Sequence, residues 1–320
     1  MNTRNLRFRS NRVRDIISLF HEELDGIYGA GEVGVFVEML FEAFLGWDKV
    51  RLLTSKDETI DQSDLLRFHW ALEDLKRYRP IQHIIGYADF CGCRIEVSPD
   101  VLIPRPETEE MVEWVVASGQ WSVGSDQWSV VSGQWSEVRG QRSEVSGQIL
   151  DLCTGSGCIA IALKKAFPAA DVTAVDVSPA ALEVARQNAK NNGVEVRFME
   201  RDVLNGVDGL SGSYGLIVSN PPYVRDSERA QIAANVLDYD PALALFVPDD
   251  DPLRFYRAIA TIAKEHLADD GLLVVEINEA LAEETCAVFK AQGFTPKVHE
   301  DFRGKPRWIS ADGARARRGE

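Results

Sequence analysis

The sequence contains no apolar run approaching the roughly 18 residues that a membrane span requires. Its basic start, with Arg4, Arg7, Arg9, Arg12 and Arg14, is not followed by the apolar stretch of an export signal. Neither membrane insertion nor secretion is expected; a cytoplasmic protein is. Cysteine is scarce. Cys91, Cys93, Cys153, Cys158 and Cys286 form no CxxC spacing and join no histidine-bearing zinc pattern, so small buried thiols are expected and a metal is not. Positive charge is in deficit. With 35 basic against 50 acidic residues the formal charge is −15 at pH 7, which repels phosphate backbones over any long contact surface. Bulk nucleic-acid binding is thereby disfavoured, a local basic patch at either terminus aside. What is present is apolar residue, 45% of a 320-residue chain, enough for two cores.

Residues 12–78 carry helical spacing: Ile16, Ile17, Phe20 and Leu24, then Val33, Phe36, Val37, Leu40, Phe41 and Phe44, then Leu65, Leu66, Phe68, Leu72 and Leu75. A small helical bundle is expected, with Gly31 separating the first two helices and Asp61 or Ser63 capping the third. From 82 to 103 the texture turns to β-type residues broken by Gly86, Gly92 and Ser98-Pro99-Asp100, which predicts a hairpin joining two domains. Thr108 is then placed to cap a helix reaching residue 116. Residues 117–148 depart from everything around them. Gln recurs at 120, 127, 134, 141 and 148, with Trp at 121, 128 and 135, a seven-residue period. A coiled coil needs two apolar positions per heptad, whereas this unit is mostly polar and carries Gly119, Gly133, Gly140 and Gly147. It reads as an inserted, exposed and flexible tandem repeat. The expected organisation is a helical substrate-recognition domain over 1–80, a hairpin linker over 81–104 and an α/β domain over 105–320 holding the insert.

After the insert, strands alternate with helices: strands over 149–153, 172–177, 194–199, 216–219, 272–277, 295–299 and 307–310, helices over 158–167, 179–191, 253–267 and 280–292. This predicts a doubly wound, mostly parallel, seven-stranded sheet, whose ligands belong at the carboxyl ends of its strands.

The first strand ends in Asp151-Leu152-Cys153-Thr154-Gly155-Ser156-Gly157, where Gly155 and Gly157 let backbone approach a ligand and turn into a helix. The second ends in Asp176, able to accept both hydroxyls of a ribose. A nicotinamide dinucleotide and S-adenosylmethionine both fit that pair. The third strand leads to Asp202-Val203, a carboxylate for an adenine amine and an apolar side chain for its ring face. The fourth strand decides between the cofactors, because it delivers Asn220-Pro221-Pro222-Tyr223 to the sheet edge. An amide nitrogen has a delocalised lone pair and attacks poorly, so a catalyst must align it with the methyl donor and draw electron density toward it. The Asn220 oxygen and Pro221 carbonyl can accept the two N–H groups of a planar NH2, the prolines fix the backbone, and Tyr223 can stack on the flat acceptor. Alone, the tetrapeptide is also an ordinary proline turn.

In these segments the sequence resembles the release-factor glutamine methyltransferases, the PrmC/HemK family, over almost its whole length. Pro80-Ile81-Gln82-His83-Ile84-Ile85-Gly86, Phe90-Cys91-Gly92, Leu102-Ile103-Pro104-Arg105-Pro106-Glu107-Thr108-Glu109, the glycine loop, the Asn220 tetrapeptide, residues 240–245 and Asp301, Gly304 and Arg307 all carry the likeness. The resemblance implies a class I S-adenosylmethionine-dependent methyltransferase, Rossmann-like, that methylates the glutamine of the Gly-Gly-Gln motif of release factors, producing N5-methylglutamine and S-adenosylhomocysteine. It further implies that Cys153, Thr154, Gly155, Ser156, Gly157, Asp176, Asp202, Val203 and Asn220 hold the cofactor, and that Asn220 to Tyr223 hold the glutamine. Arg105 and Glu107 are second-tier substrate contacts, and a charged turn before a helix is their plainer explanation. Two positions depart from the family: Cys153 stands where glycine is usual, and Val203 where an aromatic is common. The expected partner is a release factor, bound by a monomer without direct nucleic-acid or membrane contact. Three rivals stay open on sequence grounds: glutamine methylation of ribosomal protein L3, DNA adenine-N6 methylation, and a cofactor-binding scaffold whose Trp repeats recruit a partner.

Overall fold

The computed structural model describes residues 8–118, 147–232 and 234–312; the repeat at 119–146 lies outside them. The chain divides into two compact units, residues 1–87 with 233–239, and residues 88–232 with 240–320.

In the smaller unit, α1 (Val13–Tyr28), α2 (Ala30–Leu45), α3 (Lys49–Thr54), α4 (Gln62–Leu75) and α5 (Ile81–Ile85) surround one apolar core, joined by α9 (Ala234–Tyr239). Phe20, Phe41 and Phe68, the first from α1 and the others from α2 and α4, meet ring to ring at its centre, with the Phe41 and Phe68 centroids 4.5 Å apart. The break between α1 and α2 falls at Gly29, not at the expected Gly31. Gly29 has φ +85°, a conformation closed to most side chains, whereas Gly31 is inside α2. Asp61 is the residue before α4, but its side chain makes no capping bond. A second correction concerns 82–85, read as the start of the β-type segment: these residues belong to α5, a single turn between Pro80 and Gly86. One turn is too short to show a helical period against β-branched composition.

The hairpin proper is β1 (Tyr87–Phe90) and β2 (Cys93–Glu96). Its inward side chains Phe90, Cys93 and Ile95 are buried in the core of the larger unit. Asn188 holds it there: the side-chain oxygen accepts from Glu96 N (2.7 Å), and Nδ2 donates to Glu96 O (3.0 Å) and Ser156 O (2.9 Å). A buried amide thus satisfies a strand edge as a neighbouring peptide would.

The remaining elements are α6 (Pro106–Ser118), β3 (Gln148–Leu152), α7 (Cys158–Ala166), β4 (Asp171–Asp176), α8 (Pro179–Asn191), β5 (Arg197–Glu200), β6 (Tyr214–Ser219), β7 (Val224–Arg225), α10 (Ala242–Leu245), β8 (Phe246–Val247), α11 (Arg254–His266), β9 (Leu267–Glu276), α12 (Ala282–Ala291), β10 (Thr295–Glu300) and β11 (Pro306–Asp312). Seven strands form one sheet in the order β10-β11-β9-β6-β3-β4-β5, with β11 antiparallel to both neighbours and the ladders from β9 to β5 parallel. The central strands are largely apolar because helices cover both faces, and β6 is buried at every position, whereas the edge strands β5 and β10 are polar and mostly exposed or half-exposed. From β3 the chain goes on to β4 on one side, whereas from its other neighbour β6 it goes on in this sheet to β9 on the opposite side, and such a switch point opens a crevice at the strands' carboxyl ends.

Candidate active site

That crevice is occupied by a cleft with about 1160 Å³ of space open to solvent, walled by residues 100–105, 108, 153–156, 176–178, 201–204, 220, 222 and 241–255 in part.

The loop after β3 is held from below. Thr154 N donates to Val175 O (3.0 Å), Ser219 Oγ donates to Leu152 O (2.7 Å), and the Thr154 hydroxyl donates to Asp151 (2.6 Å). Asp151 is fully buried, and burial pushes its carboxyl up to about 7 against the Thr154 and Ala160 bonds that lower it. Cys153 has φ +61°, which explains why glycine suits the position. Burial, with Asp176 and Asp151 nearby, pushes its thiol well above the ordinary range, so it is a neutral cleft wall and not a nucleophile. We expect Cys153→Gly to change stability by less than about 1 kcal/mol, relief of the left-handed backbone offsetting lost packing, whereas Cys153→Val, β-branched at positive φ, should lose about 1–2 kcal/mol. Urea denaturation of both checks this; a valine variant as stable as the glycine one would refute it.

Asp176 ends β4 on the cleft wall. Its Oδ2 accepts from Gly155 N (2.8 Å) and its Oδ1 from Ser178 N (2.9 Å), while burial holds its carboxyl above the usual range. Each oxygen keeps a lone pair for a further donor. Asp202 is likewise anchored, accepting from Leu204 N (2.9 Å) and Asn205 Nδ2 (2.7 Å), with buried Val203 beside it. Gly157 is not on the cleft surface; it lets α7 start against α8.

Asn220 and Pro222 line the cleft directly after β6; Pro221 is buried and Tyr223 half-buried beside them. Asn220 Nδ2 donates to Thr108 Oγ1 (3.0 Å), and that hydroxyl donates to Glu276 Oε2 (2.6 Å). The Tyr223 hydroxyl donates to Glu276 Oε1 (2.9 Å), and Asn278 Nδ2 donates to the Tyr223 carbonyl (3.1 Å). Burial raises the Glu276 carboxyl and, together with the Glu276 charge, raises the Tyr223 phenol well above its usual range. Thr108, expected as a helix cap, lies instead in the first turn of α6 with its side chain buried in this network. Its neighbours divide. Arg105 lines the cleft and donates to buried Asp240 (2.5 Å), Glu107 is half-exposed outside the wall but close enough to oppose the Glu276 charge, and Glu109 accepts from Cys91 N (2.6 Å), pinning the hairpin turn. Asp301, Gly304 and Arg307 build the β10–β11 turn, Arg307 Nε donating to Asp301 (2.7 Å).

Sequence reasoning missed Glu276, Asn278 and Asn188. For Glu276 a signal existed, an acidic residue at the end of the apolar run Leu272 to Val275 and followed by Ile277, where an ionisable group is buried only for a reason. Among the described residues no cluster of His, Cys, Asp and Glu could hold a metal, and no helix is long and apolar enough to cross a membrane.

The Methyltransferase small domain family matches residues 138–241, and the PrmC N-terminal domain family matches residues 29–86. Release factor glutamine methyltransferase of Flavobacterium psychrophilum is 38% identical over 301 residues, covering 94% of this chain and 99% of that protein. The protein of the same name from Bacteroides thetaiotaomicron is 38% identical over 299 residues, covering 93% and 99%. Among solved structures, protein-(glutamine-N5) methyltransferase (release factor-specific) from Alicyclobacillus acidocaldarius is 26% identical, covering 68% of this chain and 98% of that one, with a TM-score of 0.37.

Proposed function

The chain belongs to the release factor glutamine methyltransferase family, a class I, S-adenosylmethionine-dependent group of protein-glutamine methyltransferases, and on that premise we propose that it methylates N5 of the glutamine in the Gly-Gly-Gln motif of peptide-chain release factors. One observation carries the reading from the side of the chemistry: Asn220-Pro221-Pro222-Tyr223 stands at the carboxyl end of β6, at the switch point of the sheet.

The cleft suits the cofactor on its own chemistry. Asp176 offers a lone pair on each oxygen to a ribose diol, the Cys153-to-Ser156 part of the loop brings backbone beside it, and Asp202 with Val203 offers an acceptor and an apolar face to adenine. S-adenosylmethionine held by these residues would supply an electrophilic methyl group, with S-adenosylhomocysteine as the other product. Asn220 Oδ1 and the Pro221 carbonyl accept the two N–H hydrogens of the glutamine amide, which aligns the nitrogen and increases its electron density. Pro222 walls the slot, Tyr223 borders the flat amide, and Arg105 and Glu107 serve the peptide near the mouth. No protein base is required, since methyl transfer to the neutral amide nitrogen gives an N-protonated cation that is strongly acidic and sheds one proton to water, leaving the neutral N-methyl amide. The helical unit grips the release factor, and the enzyme works as a cytoplasmic monomer without a metal and without direct contact to nucleic acid or membrane.

Incubation of the full chain with purified release factor and isotopically labelled cofactor, followed by peptide mass spectrometry, tests the substrate. A single methyl group on the Gly-Gly-Gln glutamine is expected. An unmodified peptide under conditions of demonstrated cofactor binding would sink the proposal, and label on ribosomal protein L3 or on DNA would redirect it.

A further inference from the structure

Thr108 and Glu276 lie 168 positions apart, are each 2% exposed, and meet through a 2.6 Å hydrogen bond beside Asn220. We infer that they form a positioning relay that decides which end of the Asn220 amide faces the substrate, an inference that rests on the substrate-holding part given to Asn220 above.

The argument is one of proton count. Side-chain amide ends are nearly alike in shape, so packing alone leaves Asn220 free to present oxygen or nitrogen to the cleft, and only the oxygen accepts a substrate N–H. Thr108 has a single hydroxyl proton. Glu276, an acceptor when ionised, takes that proton on Oε2 and the Tyr223 proton on Oε1. The Thr108 oxygen therefore shows Asn220 only lone pairs, and the amide must answer with Nδ2, at 3.0 Å. Oδ1 is then the end left for a ligand in the cleft that Asn220 lines. Because Glu276 also takes the Tyr223 hydroxyl, one carboxylate sets both ends of the tetrapeptide. Neither Thr108 nor Glu276 needs to touch the substrate; they act through Asn220 and Tyr223.

A relay with a direction can be reversed, which mere packing cannot. In Asn220→Asp, two carboxylates compete for the one Thr108 proton, and turnover should fall about 10–100-fold. Adding Glu276→Gln repairs every contact: the glutamine accepts from Tyr223 with its oxygen and donates from its nitrogen to Thr108. The Thr108 proton is then free for the inner oxygen of the carboxylate introduced by Asn220→Asp, leaving the outer one toward the cleft. The double variant should regain at least about 10-fold over Asn220→Asp, while cofactor affinity by calorimetry stays within about 3-fold throughout. In a Thr108→Val background this recovery should vanish. Thr108→Val alone should lower kcat about 10–100-fold, and Thr108→Ser, which keeps the hydroxyl, should restore it. A double variant no faster than Asn220→Asp, or a Thr108→Val enzyme with full kcat, overturns the relay. Full activity in Asn220→Ala would instead overturn the reading on which it rests, so the two failures are distinct. Thermal melts of each variant accompany the kinetics, and if Asn220→Asp does not fold, the Thr108→Val and Thr108→Ser pair decides the question.

Discussion

Asn220→Ala is expected to lower kcat by about 10²–10³ while cofactor affinity changes less than about 3-fold. The magnitude follows from preorganised hydrogen-bonding groups, where removing one partner aimed at the reacting centre typically costs that much. Here the partner is already oriented: Nδ2 is committed to Thr108, so the oxygen needs no reorganisation when the amide arrives. The cofactor side of the cleft is built from other elements, the loop after β3, Asp176 and residues 201–204, none of which rests on the Asn220 side chain. The loss should therefore appear in kcat with full-length release factor, and isothermal titration with the cofactor should be nearly unchanged. A variant that turns over at the wild-type rate would remove Asn220 from the mechanism; one that loses cofactor binding in parallel would reassign it to the cofactor site.

Gly157→Ala should destabilise the larger unit by about 2–3 kcal/mol, and Gly157→Val by more, enough to deplete soluble protein. Two costs combine. Gly157 has φ +81°, and a Cβ there would stand 3.0 Å from Ala185 Cβ and 3.3 Å from Ala185 Cα, backbone that cannot swing aside. Those contacts are how α7 and α8 approach each other. In the sequence the glycines let backbone approach a ligand and turn into a helix; Gly157 does make that turn, packed against α8 one position off the cleft wall. Urea denaturation checks the loss. Ala185→Gly added to Gly157→Ala removes the 3.0 Å contact and should recover only part of the steric cost, because Ile161 Cδ1 at 3.2 Å, the Ala185 Cα and the positive φ remain, so a full recovery, or no loss in Gly157→Ala itself, would show the division to be wrong.

The contrast between these two residues indicates what a sequence discloses. The alternation of strands and helices, and the placing of the glycine loop, Asp176 and the tetrapeptide at strand ends, were legible because each is local, a short run of residues at or beside an apolar strand. Glu276 and Asn188 were not, because each acquires its meaning from partners far along the chain. Glu276 meets Thr108 across 168 positions, and Asn188 meets Glu96 across 92. Thr108 was misread for the same reason. A threonine at the start of a helix is an ordinary cap by local rules, and only the return of β9 beside α6 gives its hydroxyl a buried carboxylate. Secondary-structure errors had a different origin: α5 is one turn long, and β5 begins at Arg197 and not at 194 because Val194 still bonds back to α8 through Ala189.

The direction of β3 bears on the repeat. The segment carrying the repeat rejoins the fold at Gln148, the first residue of β3, whereas the chemistry gathers beyond Leu152, its last. Four residue steps of extended chain separate those ends by roughly 13 Å. Lengthening a surface connection is entropically mild, each doubling adding about 0.6 kcal/mol to closure. If 117–148 is read as an insert, it joins the fold at the end of β3 away from the reacting groups, so lengthening or shortening it is expected to leave the cleft where it is.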